Sequence, residues 1–531
     1  NTVISNITLR GDNGENKFDA FNISSTGVSR KFNLNLGVDE EKRLTSSDKL
    51  TFKSMNPEIA TVDSAGNVRP AHKGNYGSTV ILVEYNYNDL EVVNKFKGMI
   101  RVKVAPYMGV ASPMVAAGGG YTIALKYDGT VWAWGYNGNG ELGQGNTTSV
   151  YSPVQVKSAD GNSYLTDIIE IAAGSNHNLA LAKDGTVWSW GYNYHGQLGN
   201  NTATNSSLPV KVTGLTDAVS IAAGYYNSFA VRKDGSVWSW GRNEYGSLGN
   251  GNTSNQLIPR RVLGGASGSQ YLTDIVEVKA ATMHTLALKA NGTVYAWGYN
   301  YCGQLGSNGG NSYTPVQVVT GEQKSASGYL EKVVDIDVSS GNNSGWGTSI
   351  ALTESKEVYG WGYSGYGQLG KIETFKSPIK VSNINTAVGA ALGGTDNTYF
   401  TYILKEDGTI ASLGYNNYGQ LGNGTTSSSA TAQDVQNSEN LINGILQVTG
   451  SQNGYFGAFV KKDGTVWTVG LNSNGQLGNG SQDNKSRPIQ VGGGSSNAMR
   501  ITHGTVINKT TGIQSKEYKN ELITNVTIAE D

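Results

Sequence analysis

One ten-residue phrase returns seven times along this chain, and few folds can absorb such a repeat. It reads WGYNGNGELG from Trp134, WGYNYHGQLG from Trp190, WGRNEYGSLG from Trp240 and WGYNYCGQLG from Trp297. WGYSGYGQLG follows from Trp361, LGYNNYGQLG from Leu413 and VGLNSNGQLG from Val469. Successive copies start 56, 50, 57, 64, 52 and 56 residues apart. That spacing suits a unit of four short strands, the size of one propeller blade.

Each unit carries the same order of strands. A small-residue strand opens it, as in Ile171-Ala-Ala-Gly174, with side chains small enough to crowd toward an axis. An alternating apolar strand such as Leu179-Ala-Leu181 follows, then a turn and Thr186-Val-Trp-Ser-Trp190. The turn is Asp-Gly at 128–129, 184–185, 234–235, 407–408 and 463–464, and Asn-Gly at 291–292. These dipeptides predict a two-residue type I′ hairpin. The fifth unit has Glu354-Ser-Lys-Glu357 instead. After the phrase, a polar loop leads to a short strand opened by proline, as at Pro153, Pro209, Pro315 and Pro488; the sixth unit has Ala432 there. Proline lacks an N–H donor and suits an edge strand.

Taken together, these elements resemble the regulator of chromosome condensation repeat, over residues 113–494. That family folds as a seven-bladed propeller. Residues 1–105 lack the repeat, and their segment Ser54–Val68, followed by Ser78-Thr-Val-Ile-Leu-Val83, is similar to the bacterial immunoglobulin-like group 2 domain. The expected fold is therefore all-β. It comprises an N-terminal immunoglobulin-like β-sandwich over 1–105, a linker over 106–112, a seven-bladed β-propeller over 113–494 and a β-rich tail over 495–531. The sandwich resemblance implies an extracellular protein, at a bacterial cell surface or secreted.

The tail ends in Asn520-Glu-Leu-Ile-Thr-Asn-Val-Thr-Ile-Ala-Glu-Asp531, which aligns without gaps on Asn1–Asp12 with five identical positions. Three explanations stay open. Polar–apolar strands resemble one another by composition; or a further sandwich domain starts here; or Leu522, Ile523, Val526 and Ile528 form a donor strand that completes the sandwich of another copy. The last would build a head-to-tail filament.

Little in the chain points to catalysis. His177 and His284 share one repeat position, which other units fill with Tyr121, Asn227, Thr348, Phe400 and Phe456, so packing between blades explains them better than metal binding. His72, His195 and His503 have no spaced second ligand. The single cysteine, Cys302, stands where other copies carry Asn139, His195, Tyr245, Tyr366, Tyr418 and Asn474, a position too variable for a nucleophile. The recurrent aspartates are turn residues. No cofactor or metal is expected. Net charge is −1 with 40 Lys+Arg against 41 Asp+Glu, so the basic footprint of a nucleic-acid binder is missing. No apolar run reaches the ~20 residues that span a bilayer.

Tyrosine is the enriched group with a use. Tyr194, Tyr225, Tyr226, Tyr245, Tyr301, Tyr366 and Tyr418 fall in or beside loops, where aromatic rings stack on sugars or anchor a protein. The expectation is a non-enzymatic surface protein, structural or adhesive, whose partners are a cell-surface protein, a glycan or other copies of itself. Two alternatives remain: an intracellular propeller acting as a protein-interaction or nucleotide-exchange module, and a carbohydrate-active enzyme.

Overall fold

The computed structural model describes residues 50–64, 67–71, 76–89, 92–105, 110–265, 270–340, 345–437, 440–492 and 499–502. It also describes the short strands Asn6–Arg10, Phe21–Ser24, Arg30–Lys31, Asn33–Gly37 and Lys42–Arg43. Apart from a 3₁₀ turn at Gly321–Gln323, the described secondary structure is β throughout.

Seven four-stranded antiparallel sheets follow one another, each with its strands in sequence order. The first sheet comprises Met114–Ala117, Tyr121–Leu125, Val131–Gly135 and Val150–Gln155; the seventh comprises Ile445–Gly450, Phe456–Lys461, Val466–Gly470 and Lys485–Gln490. The five between them span 168–211, 218–261, 275–317, 333–380 and 387–434. Residues from all seven opening strands line one cavity of about 340 Å³, which explains their Ala and Gly content. Second strands such as His177–Ala182 are buried along their whole length, whereas the outermost strands are largely half-exposed.

Two local expectations are corrected. The hairpin after each second strand is not type I′, because in these Asp-Gly and Asn-Gly pairs only the glycine has positive φ, as in Gly185 at +81°. The Gly185 N–H bonds to the Ala182 carbonyl, and the Ala182 N–H bonds to that of Thr186. This is a type I turn closed by a left-handed residue, the three-residue hairpin. Asp184 is there for its side chain, which accepts the Thr186 N–H at 2.9 Å. In the fifth sheet Lys356 takes the left-handed position at φ 61°. The prolines do lie on edge strands, but as the fourth residue, as Pro153 does in Val150–Gln155, or the fifth, as Pro378 does in Thr374–Lys380.

The phrase itself is a joint between sheets. Each indole N–H donates to the carbonyl of the phrase's eighth residue in the preceding sheet: Trp190 to Glu141, Trp240 to Gln197 and Trp297 to Ser247 at 2.8 Å, and Trp361 to Gln304 at 2.9 Å. Trp134 makes the same bond to Gln476 of the seventh sheet, at 2.9 Å. A second-strand hydroxyl makes the same contact beside the indole, as Ser228 does to Gln197. Where Leu413 replaces tryptophan, the Thr401 hydroxyl still reaches the Gln368 carbonyl across the joint at 2.7 Å. Where Val469 replaces it, the Gln420 carbonyl accepts instead from the Tyr402 phenol of its own sheet. The phrase asparagine fixes its own loop: Asn193 Oδ1 accepts the Leu198 N–H at 2.9 Å, and Ser364 Oγ accepts that of Leu369 at 3.0 Å in the fifth copy. The phrase's second residue is glycine because Gly191 sits at φ +106°, where a Cβ would lie 2.5 Å from the Asn176 carbonyl oxygen.

Before the repeats, Gly77–Asp89 and Val92–Ala105 form a long hairpin, flanked by Leu50–Ser54 on one side and by Phe21–Ser24 in parallel on the other. This module packs on the sheets at the end where the Asp-Gly hairpins lie. Glu58 pairs with Lys462 at 3.3 Å, Lys53 Nζ reaches the Glu354 carbonyl at 3.5 Å, and the Tyr76 phenol donates to the Lys461 carbonyl. Met55, Val80 and Met99 join an apolar cluster with Ile336, Val338 and Leu352. At the other terminus, buried Ile501 accepts the Tyr127 N–H of the first sheet and donates to the Gly464 carbonyl of the seventh.

Candidate functional site, an aromatic face

Antiparallel order puts two sets of loops at the end of the sheets away from the N-terminal module. One set joins first to second strands; the other is the phrase itself, after the third strand. Aromatic rings from both sets form runs there. Tyr192, Tyr194, His195, Tyr225 and Tyr226 make one, with centroids 5.0 Å apart for His195–Tyr226 and 4.3 Å for Tyr225–Tyr226. Tyr245, Tyr299, Tyr301, Trp346, Tyr363 and Tyr399 make a second, tightest at 4.4 Å between Trp346 and Tyr363. Tyr366, Tyr415, Tyr418 and Tyr455 make a third, with Tyr418 stacked on Tyr455 at 4.8 Å.

All seven tyrosines singled out in the sequence lie in these runs, but they differ in access. Tyr194 and Tyr301 are 70% and 69% exposed, Tyr226, Tyr245, Tyr366 and Tyr418 are half-buried, and Tyr225 is buried. Sequence reading missed Trp346, Tyr455 and the tyrosines at the phrase's third position, Tyr192, Tyr299, Tyr363 and Tyr415. The signal was present: that position is tyrosine in five copies, and Trp346 is the one tryptophan outside the third strands. Burial raises the Tyr226 phenol, helped by Tyr225, and burial with the Arg242 charge lowers His195. Arg242 lies 5.9 Å from the Tyr226 ring and pairs with Glu244.

The other sequence candidates fall elsewhere. His177 Nε2 meets Ser228 Oγ at 2.8 Å and His284 Nε2 meets Ser349 Oγ at 2.9 Å, each across a joint between neighbouring sheets. Cys302 is buried, and burial pushes its thiol up to about 11. Among the described residues no group of three or more His, Cys, Asp or Glu is placed to hold a metal ion. No described helix is long and apolar enough to cross a membrane. Leu522, Ile523, Val526 and Ile528, with His72 and His503, lie outside the described residues.

The chain resembles known proteins. A model of the RCC1-like domain matches residues 103–398, and one of the regulator of chromosome condensation (RCC1) repeat matches residues 463–505. The ultraviolet-B receptor UVR8 of Arabidopsis thaliana is 28% identical over 286 residues, 53% of this chain and 60% of the receptor. The E3 ubiquitin-protein ligase HERC2 of Homo sapiens is 27% identical over 382 residues, 71% of this chain and 6% of the ligase. Yeast RCC1 (Prp20), in its complex with Kap60, matches in fold with a TM-score of 0.56 at 23% identity, covering 69% of this chain and 84% of that one. The chain thus spans less than two thirds of the length of these two curated relatives.

These findings overturn the expected extracellular, adhesive surface protein and its filament. The matches are an ultraviolet-B receptor and a ubiquitin-protein ligase rather than adhesins, and they favour the intracellular alternative over the surface protein. The extracellular reading rested on a short stretch of strand-turn-strand pattern in residues 54–83, a shape that many unrelated sheets share.

Proposed function

Because the chain belongs to the RCC1-like domain family, we propose that it is an intracellular, non-enzymatic protein-interaction module that binds its partner on the aromatic face. In this reading the seven sheets close into a seven-bladed ring, and residues 1–105 form an immunoglobulin-like sandwich packed on the opposite side. The proposed divisions remain 1–105, 106–112, 113–494 and 495–531, with residues 499–502 serving the joint between seventh and first sheets.

The carrying observation is the runs of tyrosine and tryptophan across the second to seventh sheets, on the end left free by the N-terminal module. Rigid aromatic rings give large contact area at low entropic cost and dominate protein interfaces. RCC1-like relatives supply the precedent, since one is solved with a protein bound. The test is side-by-side affinity capture from cells with the native chain and with Tyr194→Ser/Tyr301→Ser. Both side chains are largely exposed, so the variant is expected to keep its folding stability within about 0.5 kcal/mol. Proteins retained by the native chain should be lost by the variant. An identical retained set from both would end this reading.

A further inference from the structure

The other end of the axis carries a second feature. The third residue of the opening strand is Glu170 in the second sheet, Glu277 in the fourth and Asp335 in the fifth, at the rim of the axial cavity. The fold does not require acids there. Ser220, Gly389 and Gln447 occupy the same register, after the same bulge, in the third, sixth and seventh sheets.

The N-terminal strand Val92–Ala105 meets these acids with alternate residues of one face. Lys103 Nζ is 2.6 Å from Glu170, and Glu170 also accepts the Ser220 hydroxyl at 3.1 Å and the Ile221 N–H at 3.2 Å. Arg101 pairs with Glu277 and lies 3.6 Å from Asp335. Two residues earlier on the same face, Met99 is buried in the apolar cluster that includes Ile336 and Leu352. Lys279 stands 3.6 Å from Glu277, and deeper in the cavity Asp337 accepts the Leu392 N–H at 2.8 Å. Burial raises the Glu277 carboxyl, and Arg101 opposes it. Carboxylates taken this far out of water need a cation in place.

We propose that this strand is an intramolecular plug, occupying an acidic mouth on the axis that fits an extended segment with an apolar residue and two cations at alternate positions. The strand ends at Ala105 and the first sheet begins at Met114, so the tether is short and the plug's effective concentration high. The strand is hydrogen-bonded on both sides within its own sheet, so a free segment of the same chemistry enters only when that sheet as a unit lifts from the mouth, which weakening the plug's charge pairs promotes.

Two measurements on the full chain test this. The first is the acetylation rate of Lys103, read by mass spectrometry, in the native chain and in Glu170→Gln/Glu277→Gln/Asp335→Asn. The rate should rise about tenfold or more as the partly buried charge pairs are lost, with the circular dichroism of the sheets unchanged. The second is anisotropy of a fluorescein-labelled peptide of residues 97–105. It should bind Arg101→Ala/Lys103→Ala and not the native chain, and a peptide with glutamate at both basic positions should bind neither. Equal Lys103 protection in the acid variant overturns the proposal. So does collapse of the sheets along with it, which would make the strand a structural strut, and so does equal binding of the two peptides.

Discussion

At the scale of single residues, the two buried histidines show how a packing role leaves a measurable trace. The Ser228 hydroxyl donates to the Gln197 carbonyl at 2.8 Å, so His177 Nε2 must carry the proton in its bond to Ser228. Its Nδ1 is then a buried acceptor with no partner among the described residues, and His284 repeats this arrangement against Ser349. Burial lowers both imidazoles from 6.5 to about 3. The folded state therefore resists protons that the unfolded chain accepts: the stabilising contribution is complete above about pH 6.5 and is lost as pH falls toward about 3. At pH 4.5 the loss is about 3 kcal/mol per ring, taking about 1.4 kcal/mol per pH unit. Asn227 fills the same position in the third sheet, which makes asparagine the natural replacement. Urea unfolding of His177→Asn/His284→Asn at pH 7 and 4.5 should show a much smaller acid loss than the native chain. Equal losses would rule out this assignment of the acid sensitivity.

At the scale of elements, the repeat was legible because its spacing is written in residue identities, whereas its joints were not. The sequence showed seven copies of Trp-Gly or its variants, but not that each indole reaches back to the eighth residue of the preceding copy. That eighth position is Glu, Gln or Ser, and its backbone carbonyl is what is recognised, so side-chain identity carried no signal. The Asp-Gly pairs likewise announced a hairpin but not its type, since Asp184 serves through its carboxylate and Gly185 alone takes positive φ. The axial acids Glu170, Glu277 and Asp335 were not singled out in the sequence, where each is one acid in an Ile- and Val-rich strand. Their partners Arg101 and Lys103 lie in a different sheet, and only the folded register brings the two together. The joint makes a prediction of its own. Trp240→Phe keeps most of the buried ring but removes the donor to Gln197, whose carbonyl still receives Ser228. The expected cost is about 1–3 kcal/mol by denaturant midpoint; a neutral substitution would show the indole bond to be dispensable.

At the scale of the whole molecule, the remaining question is whether seven sheets act as a ring or as a row. In a row, each unit is stabilised by its neighbours and the terminal units have one neighbour each, so they fray first. In a ring no unit is terminal. The contacts between seventh and first sheets match those elsewhere. Trp134 and Thr122 both donate to the Gln476 carbonyl at 2.9 Å, as Trp240 and Ser228 do to that of Gln197. Gln447 adds a reciprocal pair with the Val115 N–H and carbonyl at 3.0 and 3.1 Å, and Ile501 ties both sheets from the tail. Equivalent joints should respond equivalently to the same change. Trp134→Phe is therefore expected to cost as much as Trp240→Phe, within the roughly 0.5 kcal/mol scatter of independent sites. Hydrogen exchange gives the sharper reading. In a closed ring, weakening the joint of the seventh and first sheets should speed exchange in all seven alike, because opening there removes a constraint every sheet shares. If Trp134→Phe costs clearly less than its counterpart and speeds exchange only in the first and seventh sheets, the sheets form a row and the closed ring must be given up.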